Sequence, residues 1–299
     1  MLTGTHVAFI GGDARQLEVI KRCIQLDATV TLIGFDNLES IFTGATKKPL
    51  SCDVLKDVDA LVLPIVGTDD QGFVESIFCS NPLQFVEEHA AALPRNCVVY
   101  TGMAKPYLKT LLAQQQLSLV ELLNRDDVAI YNSIPTVEGA LMVAIQNTDI
   151  TIHGSQVIVL GLGRVGMSLA RSLHALGARV RVGAQRPEHI ARIYEMGITP
   201  FTLEELKQQV TNADIIFNTI PHLLLTAEVI AQMPQSTLII DLASRPGGTD
   251  FRFAERRGIK ALLAPSLPGI VAPKTAGQIL ANTLSRLIAE QIKDRGETS

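Results

Sequence analysis

The segment Gly161-Leu162-Gly163-Arg164-Val165-Gly166 follows directly on the apolar run Val157-Ile158-Val159-Leu160 and leads into a helical pattern from Met167 to Leu176. A buried strand feeding a G-x-G-x-x-G turn and then an amphipathic helix is the start of a dinucleotide-binding unit. The chemistry asks for glycine at each spacing. Gly161 makes the tight turn, Gly163 lets the backbone approach a pyrophosphate, and Gly166 lets the helix pack closely on the strand. Leu162, Arg164 and Val165 complete the cofactor-facing turn, and the helix start offers unpaired N–H groups and the positive end of its dipole. The competing reading is a tight turn that holds no ligand; the β-branched run before it and the helical spacing after it weigh against that.

The next strand, Arg179-Val180-Arg181-Val182-Gly183-Ala184, bears on which cofactor is taken. An NAD site places Asp or Glu about twenty residues beyond the glycines for the ribose 2′-hydroxyl, whereas an NADP site offers arginine to the 2′-phosphate. Here the exit is neutral, and Gln185 and Arg186 follow. NADP is therefore favoured over NAD. A further apolar strand ends in Asn218-Thr219-Ile220-Pro221, which would lie along the nicotinamide ribose. His222 comes next, either as an acid or base beside the hydride-transfer position or as a histidine that caps the following helix or faces solvent. After the strand Thr237–Leu242, Asp241, Ala243 and Ser244 join the expected cofactor contacts, and Arg245 is a candidate for anionic substrate groups, as is Lys274 in a later Gly- and Pro-rich loop.

The chain opens on a second strand-turn-helix. His6-Val7-Ala8-Phe9-Ile10 runs into Gly11-Gly12-Asp13-Ala14-Arg15, which lacks the fingerprint. Arg15 presents a planar fork that suits a carboxylate, unless it is simply a solvent-exposed residue of the first helical turn. Lys105, in a loop after another apolar strand, is a second anion candidate or a surface lysine. Further apolar strands begin near Ala28, Asp59 and Asn96, and strands alternating with helices predict parallel sheets covered on both faces. The expected class is α/β, with two doubly wound domains and a cleft between them. Residues 1–134 read as a flavodoxin-like substrate or partner domain, 135–151 as an interdomain helix beginning at Pro135 or Thr136, and 152–274 as a Rossmann domain. Residues 275–299 read as a C-terminal helix that docks back on the first domain, and Asn132, Ser133 and Thr136 are expected to face the cleft.

Composition narrows the function classes. A hydrophobic share of 47% with net charge −4 suits a globular protein and gives no basic surface for nucleic acid. The N-terminus carries no basic segment followed by an apolar run, and no uncharged stretch reaches the ~20 residues of a membrane span, so a cytoplasmic location is expected. Cys23, Cys52, Cys79 and Cys97 are far apart and form no C-x-x-C, which fits reduced residues and no metal site. The lack of Trp argues against stacking platforms for bases or sugars.

Taken together, Gly11-Gly12-Asp13-Ala14-Arg15, Ile134-Pro135-Thr136-Val137-Glu138-Gly139-Ala140, the glycine fingerprint, Asp241-Leu242-Ala243-Ser244-Arg245-Pro246-Gly247-Gly248 and Leu267-Pro268-Gly269-Ile270-Val271-Ala272-Pro273-Lys274-Thr275-Ala276 resemble the A-subunit family of dipicolinate synthases from spore-forming bacteria. The likeness covers nearly the whole chain, and more distant likenesses are to D-2-hydroxyacid and alanine dehydrogenases. The resemblance implies formation of pyridine-2,6-dicarboxylate, during sporulation, from a dihydro- or hydroxytetrahydro-dipicolinate drawn from the lysine pathway. It also implies that the partner is a flavoprotein-like B subunit and that the location is the mother cell; homo-oligomers are expected as well. Such a dicarboxylate substrate would draw on Arg15, Lys105, Arg245 and Lys274, with His222 as the base. Two other readings stay open: a dehydrogenase acting alone on 2-hydroxy or amino acids, and a non-catalytic NADP-binding subunit.

Overall fold

The computed structural model describes residues 1–39 and 42–297. The chain divides into two compact units: Met1–Ala129 together with the C-terminal helix from Pro273, and Ile130–Ala272.

In the first unit the strands are β1 (His6–Ile10), β2 (Thr29–Ile33), β3 (Ala45–Lys47), β4 (Ala60–Val62), a small antiparallel hairpin of β5 (Phe73–Val74) and β6 (Leu83–Gln84), β7 (Val98–Thr101) and β8 (Ser118–Glu121). The helices are α1 (Ala14–Gln25), α2 (Cys52–Leu55), α3 (Glu87–Ala92) and α4 (Pro106–Gln114), and α5 (Asp126–Asn147) begins in this unit and runs into the second. The second unit adds β9 (Gln156–Leu160), α6 (Arg164–Ala175), β10 (Arg179–Ala184), α7 (Pro187–Glu195), β11 (Thr199–Thr202), α8 (Leu206–Gln209) and β12 (Ile215–Asn218). It continues with α9 (Ala227–Ile230), β13 (Leu238–Asp241), α10 (Phe251–Arg256), β14 (Lys260–Leu263) and α11 (Leu267–Val271); α12 (Pro273–Glu297) returns to the first unit.

Both large sheets are parallel and share one order, β3-β2-β1-β4-β7-β8 and β11-β10-β9-β12-β13-β14. That is the six-stranded 3-2-1-4-5-6 arrangement of the dinucleotide-binding fold, whereas a flavodoxin-like sheet runs 2-1-3-4-5. The flavodoxin-like reading of the first unit missed β3 and β8. Both are edge strands, partly exposed, with no apolar run to mark them. Alternation of side chains across each strand fills both faces of the sheets: Val157 and Val159 join one core and Ile158 and Leu160 another, just as Val7 and Phe9 part from Ala8 and Ile10.

The likeness of the two units extends to register. Gly4 and Gly154 share a left-handed φ, +79° and +80°. The His6 N–H donates to Asp59 Oδ2 at 2.9 Å and the Gln156 N–H to Asp214 Oδ2 at 2.7 Å. Gly11 N–H donates to Ile33 O and Gly161 N–H to Gly183 O, each at 2.9 Å. From Gly4 to Ile33 the counterparts lie 150 positions apart, so the two β-α-β starts are copies of one design.

Helix α5 departs from the sequence expectation. It starts at Asp126, and Pro135 sits inside it. Proline removes the N–H that would serve the carbonyl four residues earlier. Around it, Ser133 Oγ donates to Ile130 O and Thr136 Oγ1 to Asn132 O, both at 2.7 Å. Ser133 is buried and shares a 2.7 Å hydrogen bond with Ser168 of α6, so these hydroxyls serve the helix and its packing. By length and composition α5 could cross a membrane, but Val137, Ala140 and Ala144 are part of the core of the second unit.

Helix α12 packs along α1. Leu280, Ala281, Leu284 and Ile288 meet Val19, Ile20 and Cys23 in one core, and Gly277 permits the approach, since a Cβ there would lie 2.5 Å from Arg15 O. The four cysteines are free thiols; burial pushes Cys23 and Cys97 up to about 12, which leaves them unreactive.

Candidate nicotinamide-dinucleotide site

The three fingerprint glycines have three different surroundings. Gly161 takes φ +99°, and a Cβ there would meet Thr219 Oγ1 at 2.6 Å. Gly166 admits no side chain, because a Cβ would lie 2.1 Å from Gly161 O, so α6 rests directly on the turn. Gly163 is the N-cap of α6, is exposed, and a Cβ there would meet nothing within 4 Å. Protein packing accounts for the first and third glycines. At Gly163 the open space lies in front of a helix N-terminus, where backbone N–H groups and the dipole favour a phosphate. The donor set thus fits a pyrophosphate-bearing cofactor.

Around this turn, Leu162 is buried, Val165 is half-buried and Arg164 is exposed. Thr219 Oγ1 donates to Leu160 O at 2.8 Å, which ties the exit of β12 to that of β9. At the exit of β10, Gln185 and Arg186 are exposed and no carboxylate occupies the strand end. Arg186 caps α7, contacts His189, and its Nε lies 3.3 Å from Glu188 Oε1.

Two expected cofactor contacts have a different job. Asp241 is fully buried and accepts four hydrogen bonds: from Asn218 Nδ2 (3.0 Å), Ala243 N–H (3.1 Å), Gly248 N–H (2.8 Å) and Thr249 Oγ1 (2.6 Å). Asn218, also fully buried, donates to Ile220 O and accepts from the Ile220 N–H. With their polar atoms so engaged, these side chains frame the exits of β12 and β13 and do not present themselves to a ligand. Leu224 and Leu225 N–H both donate to Gly248 O, and a Cβ on Gly248 would lie 2.3 Å from His222 O. Asp241 therefore holds together the loop that carries Ile220, Pro221 and His222 and the loop that carries Ser244 and Arg245. Pro221, His222, Ser244 and Arg245 are exposed at this carboxyl edge, and Ala243 is buried. Gly248 ends the loop motif read in the sequence and Thr249 lies just beyond it; nothing in their spacing shows that they reach a carboxylate seven or eight residues back.

The other candidate cations belong to the first unit and have acidic neighbours. Asp13, the N-cap of α1, receives the Arg15 N–H at 2.9 Å and Arg15 Nε at 3.0 Å. Burial opposes ionisation of Asp13, but the hydrogen bonds and charge of Arg15 outweigh it and hold the carboxyl below its usual value. Arg15 is thus paired within the chain. Lys105 caps α4, with Nζ 3.4 Å from Asp70. Lys274 lies in the first turn of α12; Glu18, held low chiefly by its hydrogen bond from Lys21, also feels the Lys274 charge. Among the described residues no three His, Cys, Asp or Glu side chains gather as a metal site.

A parallel 3-2-1-4-5-6 sheet, a glycine turn left open at a helix N-terminus and polar loops at the strand exits define a dinucleotide-binding protein. Comparison with known proteins agrees and goes further. Residues 6–123 match the N-terminal domain of the dipicolinate synthase A-subunit family, and residues 135–298 match the alanine dehydrogenase/PNT C-terminal domain. The dipicolinate synthase A subunit of Bacillus subtilis (strain 168) is 53% identical over 297 residues, covering 99% of this chain and 100% of that one. The crystal structure of its counterpart from Bacillus halodurans superposes with a TM-score of 0.95 at 54% identity, covering 97% of this chain and 99% of that one. The crystal structure of the Bacillus subtilis protein also superposes at 0.95, with 53% identity and coverage of 98% and 99%. The chain belongs to the dipicolinate synthase A-subunit family and is an NAD(P)-dependent oxidoreductase component of that synthase.

Proposed function

We propose that this subunit uses NADP to oxidise a dihydro- or hydroxytetrahydro-dipicolinate to dipicolinate, working with a flavoprotein-like B subunit in the mother-cell cytoplasm during sporulation. The observation that carries the cofactor assignment is the open turn at Gly163, which leaves backbone donors for a pyrophosphate. The choice of NADP rests on the exit of β10, where the chain has Gln185 and Arg186 and no carboxylate to receive a ribose 2′-hydroxyl.

Going from the dihydro compound to the pyridine removes one hydride and one proton; the hydroxytetrahydro form must first lose water. The bound nicotinamide supplies the hydride acceptor. The chain's own task is to orient a dicarboxylate and to take the proton. His222 and Arg245 stand exposed on the two loops that Asp241 ties together, which suits His222 as the base and Arg245 as a carboxylate partner. On the first unit, Arg15, Lys105 and Lys274 remain candidates for binding an anionic substrate group, each working against an acidic neighbour.

The test is the absorbance of reduced nicotinamide after mixing the protein with NADP+ or NAD+ and freshly generated dihydrodipicolinate, with and without the B subunit. Reduction of NADP+ in preference to NAD+, lost in His222→Ala, is expected. Tight NADP binding with no reduction under any condition would make the chain a binding subunit instead.

A further inference from the structure

The first unit repeats the β-α-β start of the dinucleotide unit, yet the repeat differs at the positions that matter for a ligand. Asp13 stands where the second unit has Gly163, and Gln16 where it has Gly166. The Asp13 carboxylate faces the place a phosphate would take. Gln16 is buried, with Nε2 3.1 Å from Leu63 O. The segment after β5 also crosses the turn: Gly12 N–H donates to Glu75 O at 2.9 Å and Ile77 N–H to Gly12 O at 3.1 Å. The counterparts of the backbone donors that would cradle a pyrophosphate in the second unit are used here by the protein itself. A dinucleotide is excluded from this turn.

What the first unit keeps is the other end of such a site. At the shared carboxyl edge of β2 and β3 lies a cavity of about 570 Å³, a volume within the range of small-molecule sites. Its apolar wall includes Pro49, Leu50 and Leu83, and its polar groups include Asp36, Lys47 and Lys48. Asp36 occupies the position that is Arg186 in the second unit, so the acid missing after β10 is present after β2. The Ser80 N–H donates to Asp36 Oδ2 at 3.0 Å, and the Ser80 hydrogen bonds hold the carboxyl down at about 2, fixing it as an acceptor. An acid at this point of a 3-2-1 sheet is placed to accept from a ribose diol. Lys47 Nζ donates one N–H to Leu38 O at 2.7 Å and has two more to offer, and Lys48 is exposed beside it, which supplies positive charge for one phosphate group.

We propose that this cavity binds a ribonucleoside 5′-monophosphate, with the ribose on Asp36, the base against Pro49, Leu50 and Leu83, and the phosphate on Lys47 and Lys48. A carboxylate in the wall disfavours a dicarboxylate, and the closed β1–α1 turn limits the ligand to one nucleoside.

Equilibrium dialysis of labelled AMP against the full chain, held at saturating NADP+ to occupy the second unit, tests the assignment. One further equivalent of AMP should bind, at least tenfold more weakly to Asp36→Asn and to Lys48→Glu and more weakly as the 2′,3′-dideoxy analogue. Both variants should keep the NADP+-induced rise in Tm, which shows that they fold and that the second unit is intact. Three results would overturn the proposal: no AMP bound beyond the NADP site, AMP binding indifferent to both substitutions, or pyridine-2,6-dicarboxylate bound in a manner that depends on Lys48 while AMP is not.

Discussion

At the scale of single residues, the glycine turn separates binding from folding. Gly163→Ala adds a Cβ that meets no protein atom, so Tm should stay within a degree or two while affinity for NAD(P) falls at least tenfold. Gly166→Ala forces that atom to 2.1 Å from Gly161 O and should lower stability itself. Titration calorimetry beside thermal melts distinguishes the two. Asp241 gives the converse case. Thr249→Val removes one donor from a buried carboxylate and should cost roughly 1.5–3 kcal/mol in urea unfolding. Asp241→Asn turns an acceptor into a group with N–H protons facing donors, and it should cost more and lower kcat by loosening the loops of His222 and Arg245. If turnover with Thr249→Val and Asp241→Asn matched the parent, the framing role would be wrong.

Asp13 carries a pH signature. Its folded pKa is depressed, so the contribution of its pairing with Arg15 is complete above the unfolded carboxyl pKa of ~3.9. It is lost as pH falls through the lower folded value. The stability difference between the parent and Asp13→Asn should therefore be constant from neutral pH to about 5 and shrink below ~4. A difference that grew on acidification would contradict the pairing.

Elements place these residues, and two of them act at long range in sequence. Helix α12 completes the core of the first unit although it follows the whole of the second. Leu284→Ala, at a side chain only 1% exposed, should cost about 2–5 kcal/mol. A chain ending at Ala272 should lose protection in β1 and α1 in hydrogen exchange while β9 and α6 keep theirs; equal loss in both units would refute that assignment. Helix α5 shows why local rules mislead here. Pro135 reads as a helix start because proline suits the first turn, yet Asp126–Asn147 forms one helix through it. The apolar residues Val137, Ala140 and Ala144 on a buried face sustain the helix through the proline.

On the scale of the whole molecule, one β-α-β design appears twice with different chemistry. The second copy keeps its glycines and exposes a helix N-terminus; the first copy closes that turn and keeps an acid after β2. The resemblance carried by the Gly-Gly-Asp-x-Arg start, the fingerprint and the two late loops was enough to reach the family. The fingerprint was legible because strand, turn and helix are contiguous and their periods and glycine spacing are local properties. The dinucleotide unit, the alternation of strands and helices and the neutral exit after β10 were open to the same reading. Tertiary structure decided the rest. Six strands in 3-2-1-4-5-6 order required pairing of the polar edge strands β3 and β8, which carry no apolar signal of their own. Asp241 and Asn218 look like ligands in a linear text and prove to be framing groups, because burial and partners seven, eight and twenty-three residues away set what a polar side chain can do. Periodicity and spacing are written along the chain, whereas burial and hydrogen-bond satisfaction exist only once distant segments have met.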